Sequence, residues 1–246
     1  MNLKGAIFDW DGTLLDIDGR EFYCINAALK AHGIASVTHD FFLHNYYRRP
    51  FEVGTGPRMV LETAIREKGA EPEKVYETYR KLFGETIDKA KMQNGATNAL
   101  GFLKNNRFKV GVATMRFTRS VVAAEFQFFG VESLIDTLLA REDLRLKRTL
   151  SSLEETVEQR VRLVSKVLEK LALSTRETFL VGDSWWDIRA GKQLSMGTVL
   201  VKTGFSSHSD FSSERPDIKV DSLEELEAAV RERKWFDAQQ AFSKPV

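Results

Sequence analysis

Short apolar runs alternate along the chain with longer stretches of helical periodicity. Runs of four to seven residues rich in Val, Ile, Leu and Phe are more typical of buried strands than of helices, and turn-forming residues bound most of them. The first run, GAIFDW, stops at an Asp–Gly turn, as expected for a strand that ends in a loop. The predicted strands are residues 5–10, 108–114, 137–140, 178–182, 197–201 and 217–220.

Helical patterns fill the intervals between most of these runs. Strands that alternate with helices in this way predict a parallel sheet covered by helices on both faces. In open α/β sheets, ligands bind beyond the carboxyl ends of the strands, so the residues found there are the candidates for chemistry. The predicted helices of this part of the chain are residues 97–106, 118–129, 153–173, 187–194 and 223–234.

Residues 16–92 lack this alternation and show no convincing buried strand. We therefore predict an all-helical insert over residues 16–92, within an α/β, Rossmann-like core formed by residues 1–15 and 93–246. The helices predicted in the insert are residues 20–32, 58–68 and 73–89, with Gly33 as the stop signal after the first.

Composition narrows the class of protein. The 246 residues carry 36 basic and 35 acidic side chains, a net charge of +1, which argues against nucleic-acid or membrane partners. A single cysteine, Cys24, excludes an internal disulfide and fits a reducing compartment. No apolar run reaches the about 18 residues of a membrane span, and the start does not resemble a signal peptide. We expect a cytoplasmic protein whose oligomeric state the sequence leaves open.

Two acidic side chains end the first strand, in the motif D-W-D-G-T. Asp9 and Asp11 can both face the crevice once the chain leaves the strand, and Gly12 permits a tight turn. The alternative is an ordinary strand-end turn with two hydrated acids.

A hydroxyl ends the strand over residues 108–114. Thr114 and the amides of Met115 and Arg116 could bind a phosphate, although a threonine there could equally cap a helix.

A third strand ends in V-G-D-S-W-W-D. Asp183 and Asp187 could complete an oxygen-ligand site suited to Mg²⁺. Alternatively, Asp183 is a turn residue and Asp187 a helix N-cap.

The three motifs together, in this order and each at a strand end, resemble the haloacid dehalogenase superfamily over residues 3–234. The family's lysine matches Lys147 in A-R-E-D-L-R-L-K, although Arg148 stands where the family often has proline. Lys166 and Lys170 are fallback candidates that fit solvated helix positions better.

The resemblance implies a mechanism. Asp9 would attack phosphorus to form an aspartyl phosphate, and Asp11 would act as general acid and then general base. Mg²⁺ would be held by Asp9, by the main-chain carbonyl of Asp11 and by Asp183.

Three further positions receive roles in the same way. Thr114, with the nearby amides of Met115 and Arg116, would hold the phosphoryl oxygens. Lys147 would offset negative charge, and Asp187 would orient Lys147 or a metal-bound water.

The insert resembles the family's type-one cap, which closes over the site and favours small substrates. Arg48 and Arg49 are candidate substrate contacts, although a solvated basic loop explains them slightly better. Trp185 and Trp186 are expected to divide between the core and the rim of the site.

The favoured function is a Mg²⁺-dependent phosphatase acting on a small phosphorylated metabolite, as in phosphoglycolate phosphatases. Two alternatives stay open: a phosphomutase of the β-phosphoglucomutase type, and a non-catalytic member that binds a partner. Intact Asp9, Asp11 and Asp183 argue against the last.

Overall fold

The computed structural model describes residues 3–47, 56–66, 68, 70–145, 150 and 152–235. Eight strands are present in the described residues: β1 (Gly5–Phe8), β2 (Leu15–Asp16), β3 (Lys91–Met92), β4 (Lys109–Ala113), β5 (Thr137–Leu139), β6 (Thr178–Gly182), β7 (Gly197–Val201) and β8 (Ile218–Val220). Six of them form a parallel central sheet, in the order β5-β4-β1-β6-β7-β8. The short strands β2 and β3 pair with each other elsewhere. All six predicted strands are present.

Register aligns the carboxyl ends of the three central strands. Phe8 of β1 pairs with Val112 of β4 on one side and with Val181 of β6 on the other. Every residue of β1 and β6 is buried, as expected for strands covered on both faces. The residues that follow these strands therefore emerge side by side at one edge of the sheet.

Helices cover both faces of the sheet and bury a separate apolar cluster on each. One cluster contains Phe8 and Val110, and the other contains Ile7, Val167 and Leu180. The helices of the core, outside the insert, are α5 (Ala96–Asn105), α6 (Arg119–Phe128), α7 (Leu153–Leu171), α8 (Trp185–Gln193), α9 (Gly204–His208) and α10 (Leu226–Glu232). None of the described helices is long and apolar enough to cross a membrane.

The insert is helical, with its own core. Its helices are α1 (Asp18–Ala31), α2 (His39–Tyr46), α3 (Pro57–Ile65) and α4 (Pro72–Glu85). Cys24, Phe42 and Tyr79 are buried together in that core, so Cys24 is a buried apolar side chain.

Two features of the insert were not predicted. Helix α2 begins at a Thr38 cap whose side chain accepts a hydrogen bond from the Phe41 amide, and its eight residues are too few for a clear period. The two-residue strands β2 and β3 pair antiparallel where the insert joins the core. The predicted α/β class, a Rossmann-like parallel sheet with a helical insert, is confirmed.

Candidate active site

The ends of β1, β4 and β6 bring together the side chains that the sequence motifs singled out. Asp9, Thr114 and Asp183 follow these strands directly, and all three are buried. Pairing continues beyond the strands, because the Asp9 amide donates to the Val181 carbonyl over 2.9 Å and the Thr114 amide to the Leu139 carbonyl over 2.9 Å. The backbone of the site is thus held by the sheet itself.

Three carboxylates crowd together at this edge. One oxygen from each of Asp9, Asp183 and Asp187 lies within 4.8 Å of the other two. Burial raises the pKa of Asp9 to about 8, although the Arg160 guanidinium opposes that rise. Burial also raises the pKa of Asp183, and the neighbouring Asp9 carboxylate adds to the effect. Buried, mutually repelling oxygen ligands are the donor set that suits a hard divalent cation such as Mg²⁺.

Two glycines make room for Asp183. Gly12 and Gly204 both have positive φ angles, +77° and +45°, and a Cβ at either position would collide with the Asp183 carboxylate. Thr13 donates its hydroxyl to Asp183 over 2.9 Å, and the Phe205 amide donates to the other oxygen over 2.8 Å. The glycine of D-W-D-G-T therefore serves the turn and the close approach of the third motif.

Asp187 lies inside α8 rather than at its start. Ser184 caps the helix, and the Ser184 amide and hydroxyl both donate to the Asp187 side chain, the amide over 3.2 Å. The expectation that the helix starts at residue 187 is wrong by two residues, since Trp185 and Trp186 form its first turn. This capping box fixes the orientation of the Asp187 carboxylate.

A buried arginine that the sequence motifs did not identify lies behind these carboxylates. Arg160 of α7 places its Nε 2.6 Å from Asp187 and its Nη1 3.4 Å from Asp9, and it also donates to the Ala113 carbonyl. Its side chain is fully buried. Arg160 thus supplies a fixed positive charge beside Asp9.

Two of the three lysines considered for this role, Lys166 and Lys170, lie on the surface. Lys147 lies outside the described residues, as do Arg48 and Arg49 of the insert. Lys166 and Lys170 are exposed, and Lys166 pairs with Glu169 on the surface, as expected of solvated helix charges.

A signal for Arg160 was present in the sequence. It occupies the apolar stripe of α7, in line with the buried residues Val157, Val164 and Val167. A charged residue on such a stripe must be buried with a partner, because an unpaired charge is costly to desolvate.

Asp11 faces a different arginine. The Nε of Arg116 donates to Asp11 over 2.7 Å, and Nη2 donates to the second carboxylate oxygen. Burial raises the pKa of Asp11, whereas the Arg116 guanidinium lowers it. The Arg116 amide donates to the Thr114 hydroxyl over 3.1 Å, so that amide is already engaged.

Arg116 is itself anchored from behind. Its Nη1 donates to Glu125 over 2.6 Å, and Glu125 also accepts from Arg20 and, over 2.6 Å, from the Trp10 indole. The Arg116 guanidinium lies 4.8 Å from the centre of the Phe83 ring. This buried network spans the core and the insert, because Arg20 and Phe83 belong to α1 and α4.

A cavity of about 1010 Å³ opens between the motifs and the insert, and Asp9, Asp11 and Asp183 line its floor. Met115, Trp185 and Trp186 also line it; Trp185 is fully buried, whereas Trp186 is partly buried. From the insert, the lining includes Glu21, Tyr46, Tyr79 and Arg80.

Glu21 is held by two tyrosines in the roof of this cavity. Tyr79 donates its hydroxyl to Glu21 over 2.6 Å and Tyr46 over 3.1 Å. Burial raises the pKa of Glu21 to about 7, with the tyrosine hydrogen bond acting against it.

Comparison with known proteins identifies relatives over most of the chain. A sequence model described as haloacid dehalogenase-like hydrolase matches residues 6–201. The chain is 27% identical to a phosphoglycolate phosphatase of Psychrobacter arcticus, over 92% of this chain and 95% of that protein. It is 22% identical to the pyrophosphatase PpaX of Bacillus mycoides, over 92% and 96% respectively.

Solved structures show the same fold. The crystal structure of a predicted phosphoglycolate phosphatase from Haemophilus somnus superposes with a TM-score of 0.74 at 18% identity, covering 93% of this chain and 98% of the other. These similarities confirm the resemblance inferred from the motifs. They also confirm that the chain is an enzyme, a hydrolase of a group whose relatives include phosphatases.

Proposed function

Because the chain belongs to the haloacid dehalogenase-like hydrolase family, we propose that it is a Mg²⁺-dependent phosphatase that hydrolyses a small phosphorylated metabolite through a phosphorylated Asp9. One observation carries the proposal. Asp9 lies at the floor of a cavity, with its carboxylate grouped with Asp183 and Asp187 and with the Arg160 guanidinium beside it.

The charges around Asp9 support its role as nucleophile. An anionic carboxylate that approaches a phosphate is repelled unless nearby positive charge compensates. Arg160 supplies one such charge, fixed by Asp187 and the Ala113 carbonyl. Arg160 therefore supplies a positive charge of the kind that the motif comparison assigned to Lys147, a residue outside the described part of the chain.

Asp9, Asp183 and the main-chain carbonyl of Asp11 would hold the metal. Both oxygens of Asp187 already have protein partners, Arg160 and Ser184, which favours an orienting role for Asp187. When bound, Mg²⁺ would offset the negative charge of the phosphoryl group.

Transfer of the phosphoryl group to Asp9 needs oxygen contacts and a proton donor. The buried Thr114 hydroxyl at the end of the neighbouring strand β4, which accepts a hydrogen bond from the Arg116 amide, would bind a phosphoryl oxygen. Asp11 would protonate the leaving oxygen and then take a proton from the water that attacks the phosphorylated Asp9. The insert, residues 16–92, would act as the cap that restricts water and substrate size.

Phosphoglycolate and pyrophosphate are the first substrates to examine, because the names of similar proteins specify them. Release of orthophosphate should be measured from each, and from p-nitrophenyl phosphate, with Mg²⁺ and after its removal by EDTA. We expect turnover that requires Mg²⁺ and falls by at least about 1000-fold in Asp9→Asn, as when a nucleophile is removed.

Asp210→Asn is the matched control, since Asp210 is an exposed aspartate that does not line the cavity. It should keep the native rate. Metal-independent turnover, or an active Asp9→Asn variant, would contradict the proposal. Transfer of the phosphoryl group to a sugar hydroxyl, rather than to water, would favour the phosphomutase alternative.

A further inference from the structure

Both carboxylate oxygens of Asp11 are occupied by one guanidinium. Arg116 Nε donates to one oxygen over 2.7 Å and Nη2 donates to the other, in the paired geometry that arginine forms with carboxylates. The paired bonds engage one lone pair on each oxygen and hold the carboxylate in one orientation, so Asp11 can turn toward a leaving group only after they break. The proposed acid and base is therefore in a closed resting arrangement.

One side of the Arg116 guanidinium is held by the buried Glu125, and the other side faces the cavity. Behind it, Glu125 and Arg20 have fully buried side chains that are joined in an ion pair. In front, the side chains of Arg116 and Asp11 remain 13% and 24% exposed, and both line the cavity. An anion entering the cavity can thus reach the guanidinium that holds Asp11.

From this geometry we propose that Arg116 is a latch on Asp11, and that a second anionic group on the substrate opens it. The proposal rests on the proposed function and names the substrate class: a phosphate ester or anhydride whose leaving group carries a carboxylate or another phosphate. That group takes over the paired hydrogen bonds of Arg116 and frees Asp11 to act on the leaving oxygen.

The position of the latch fits this substrate class. The Arg116 guanidinium packs over the ring of Phe83, which belongs to insert helix α4, and Arg20 donates to the Phe83 carbonyl. Arg116 thus lies where the insert meets the core, and the insert is the part of the chain that the proposed function places over the leaving group. Arg116 acts through Asp11 and is a positioning and specificity residue.

Binding of two non-hydrolysable phosphonates tests the latch without requiring turnover. In 3-phosphonopropionate a carboxylate occupies the place of a second anion, and in propylphosphonate a methyl group replaces it. Calorimetry in the presence of Mg²⁺ should show that the native chain binds the first roughly 10- to 100-fold more tightly, the range of a charge-assisted pair.

Variants of three arginines then locate the preference. In Arg116→Met, the affinities for the two phosphonates should differ by no more than about threefold. Arg116→Lys should keep part of the preference, because it retains the charge but loses the paired geometry. Arg119→Met is the matched control, because Arg119 is exposed and pairs with Asp143, and neither residue lines the cavity. Arg80 lines the same cavity, and a preference that survives Arg116→Met but is lost in Arg80→Met overturns the proposal.

Asp11→Asn separates a latch from a simple anion site. With its charged competitor removed, Arg116 should favour 3-phosphonopropionate over propylphosphonate by a further factor of about ten. An unchanged ratio in Asp11→Asn overturns the latch, and so does a native chain without a preference. A native chain that hydrolyses p-nitrophenyl phosphate yet shows no preference keeps the proposed function and loses only the latch.

Discussion

The two aspartates of the first motif lie against two arginines in different surroundings. Arg160, behind Asp9, is fully buried on α7 and bound to Asp187 and to the Ala113 carbonyl as well. Arg116, beside Asp11, faces the cavity and remains partly exposed. One guanidinium is a permanent part of the site, and the other can exchange its partner.

This difference matches the chemistry proposed for each aspartate. A nucleophile benefits from a positive charge that does not move, because repulsion of the phosphate must be offset throughout the reaction. An acid and base must bind and release a proton, so its partner must be able to leave. The same residue type therefore performs two tasks, set apart by burial and by the number of its other contacts.

Removal of Arg160 should have the largest effect on stability. Arg160→Met leaves the buried Asp187 and Asp9 without their cation, which should lower the free energy of unfolding by about 3–5 kcal/mol. Urea denaturation measures the change. Arg162→Met, at an exposed position two residues along the same helix, should change it by less than about 0.5 kcal/mol. Equal losses in both variants would contradict the assignment of Arg160.

Glu21 offers a test through pH, because it is a buried carboxyl held by tyrosines rather than by a cation. Arg116, Asp11, Tyr46 and Tyr79 are the charged or titratable groups that influence its pKa of about 7. An unfolded glutamate loses its proton near pH 4.5 and the folded one near pH 7, so its stabilising contribution is complete below about pH 4.5 and lost as pH rises to 7.

Glu21→Gln cannot ionise and should lack this loss. Between about pH 4.5 and pH 7, the native chain should lose on the order of 3 kcal/mol relative to the variant. Thermal or urea unfolding at several pH values measures the difference. If the stability of the two proteins changed equally with pH, the pKa of Glu21 would be the same in the folded and unfolded states, which would contradict this prediction.

Arg116→Met should have the smallest effect on stability. Asp11 is partly exposed and can be hydrated after the loss of the guanidinium, and the buried Glu125 keeps Arg20 and the Trp10 indole as partners. We therefore expect a loss of about 1–2 kcal/mol. A loss as large as that of Arg160→Met would remove the contrast between a fixed and an exchangeable arginine.

The motifs predicted the floor of the site because they depend on strand ends. Apolar runs predicted β1, β4 and β6, and a parallel sheet must bring Asp9, Thr114 and Asp183 to the same edge. The order of the apolar runs along the chain was therefore sufficient to predict that these three side chains lie at one edge of the sheet.

Contacts between distant segments could not be predicted in this way. Arg116 is 105 residues from Asp11 in the sequence, and Arg160 is 47 residues from Ala113, so no local period records these pairs. The motif comparison favoured Lys147, which lies outside the described residues, because it considers residue type and order. Arg160 lies beside Asp9 through the packing of α7 on β4, which no motif records. Helix α2 of the insert was missed because its eight residues are too short to show a period.

The most direct test of the central claim is to trap the phosphoryl group on Asp9. Asp11→Asn should be mixed with p-nitrophenyl phosphate and Mg²⁺, quenched in acid and digested for mass spectrometry. This ester has a good leaving group, so transfer to Asp9 needs little acid catalysis, whereas hydrolysis of the intermediate still needs Asp11 as the base. We predict that the peptide containing Asp9 gains one phosphoryl group and that Asp9→Asn does not. Orthophosphate release by the native chain with no phosphorylated peptide in Asp11→Asn, together with an active Asp9→Asn, would contradict the account.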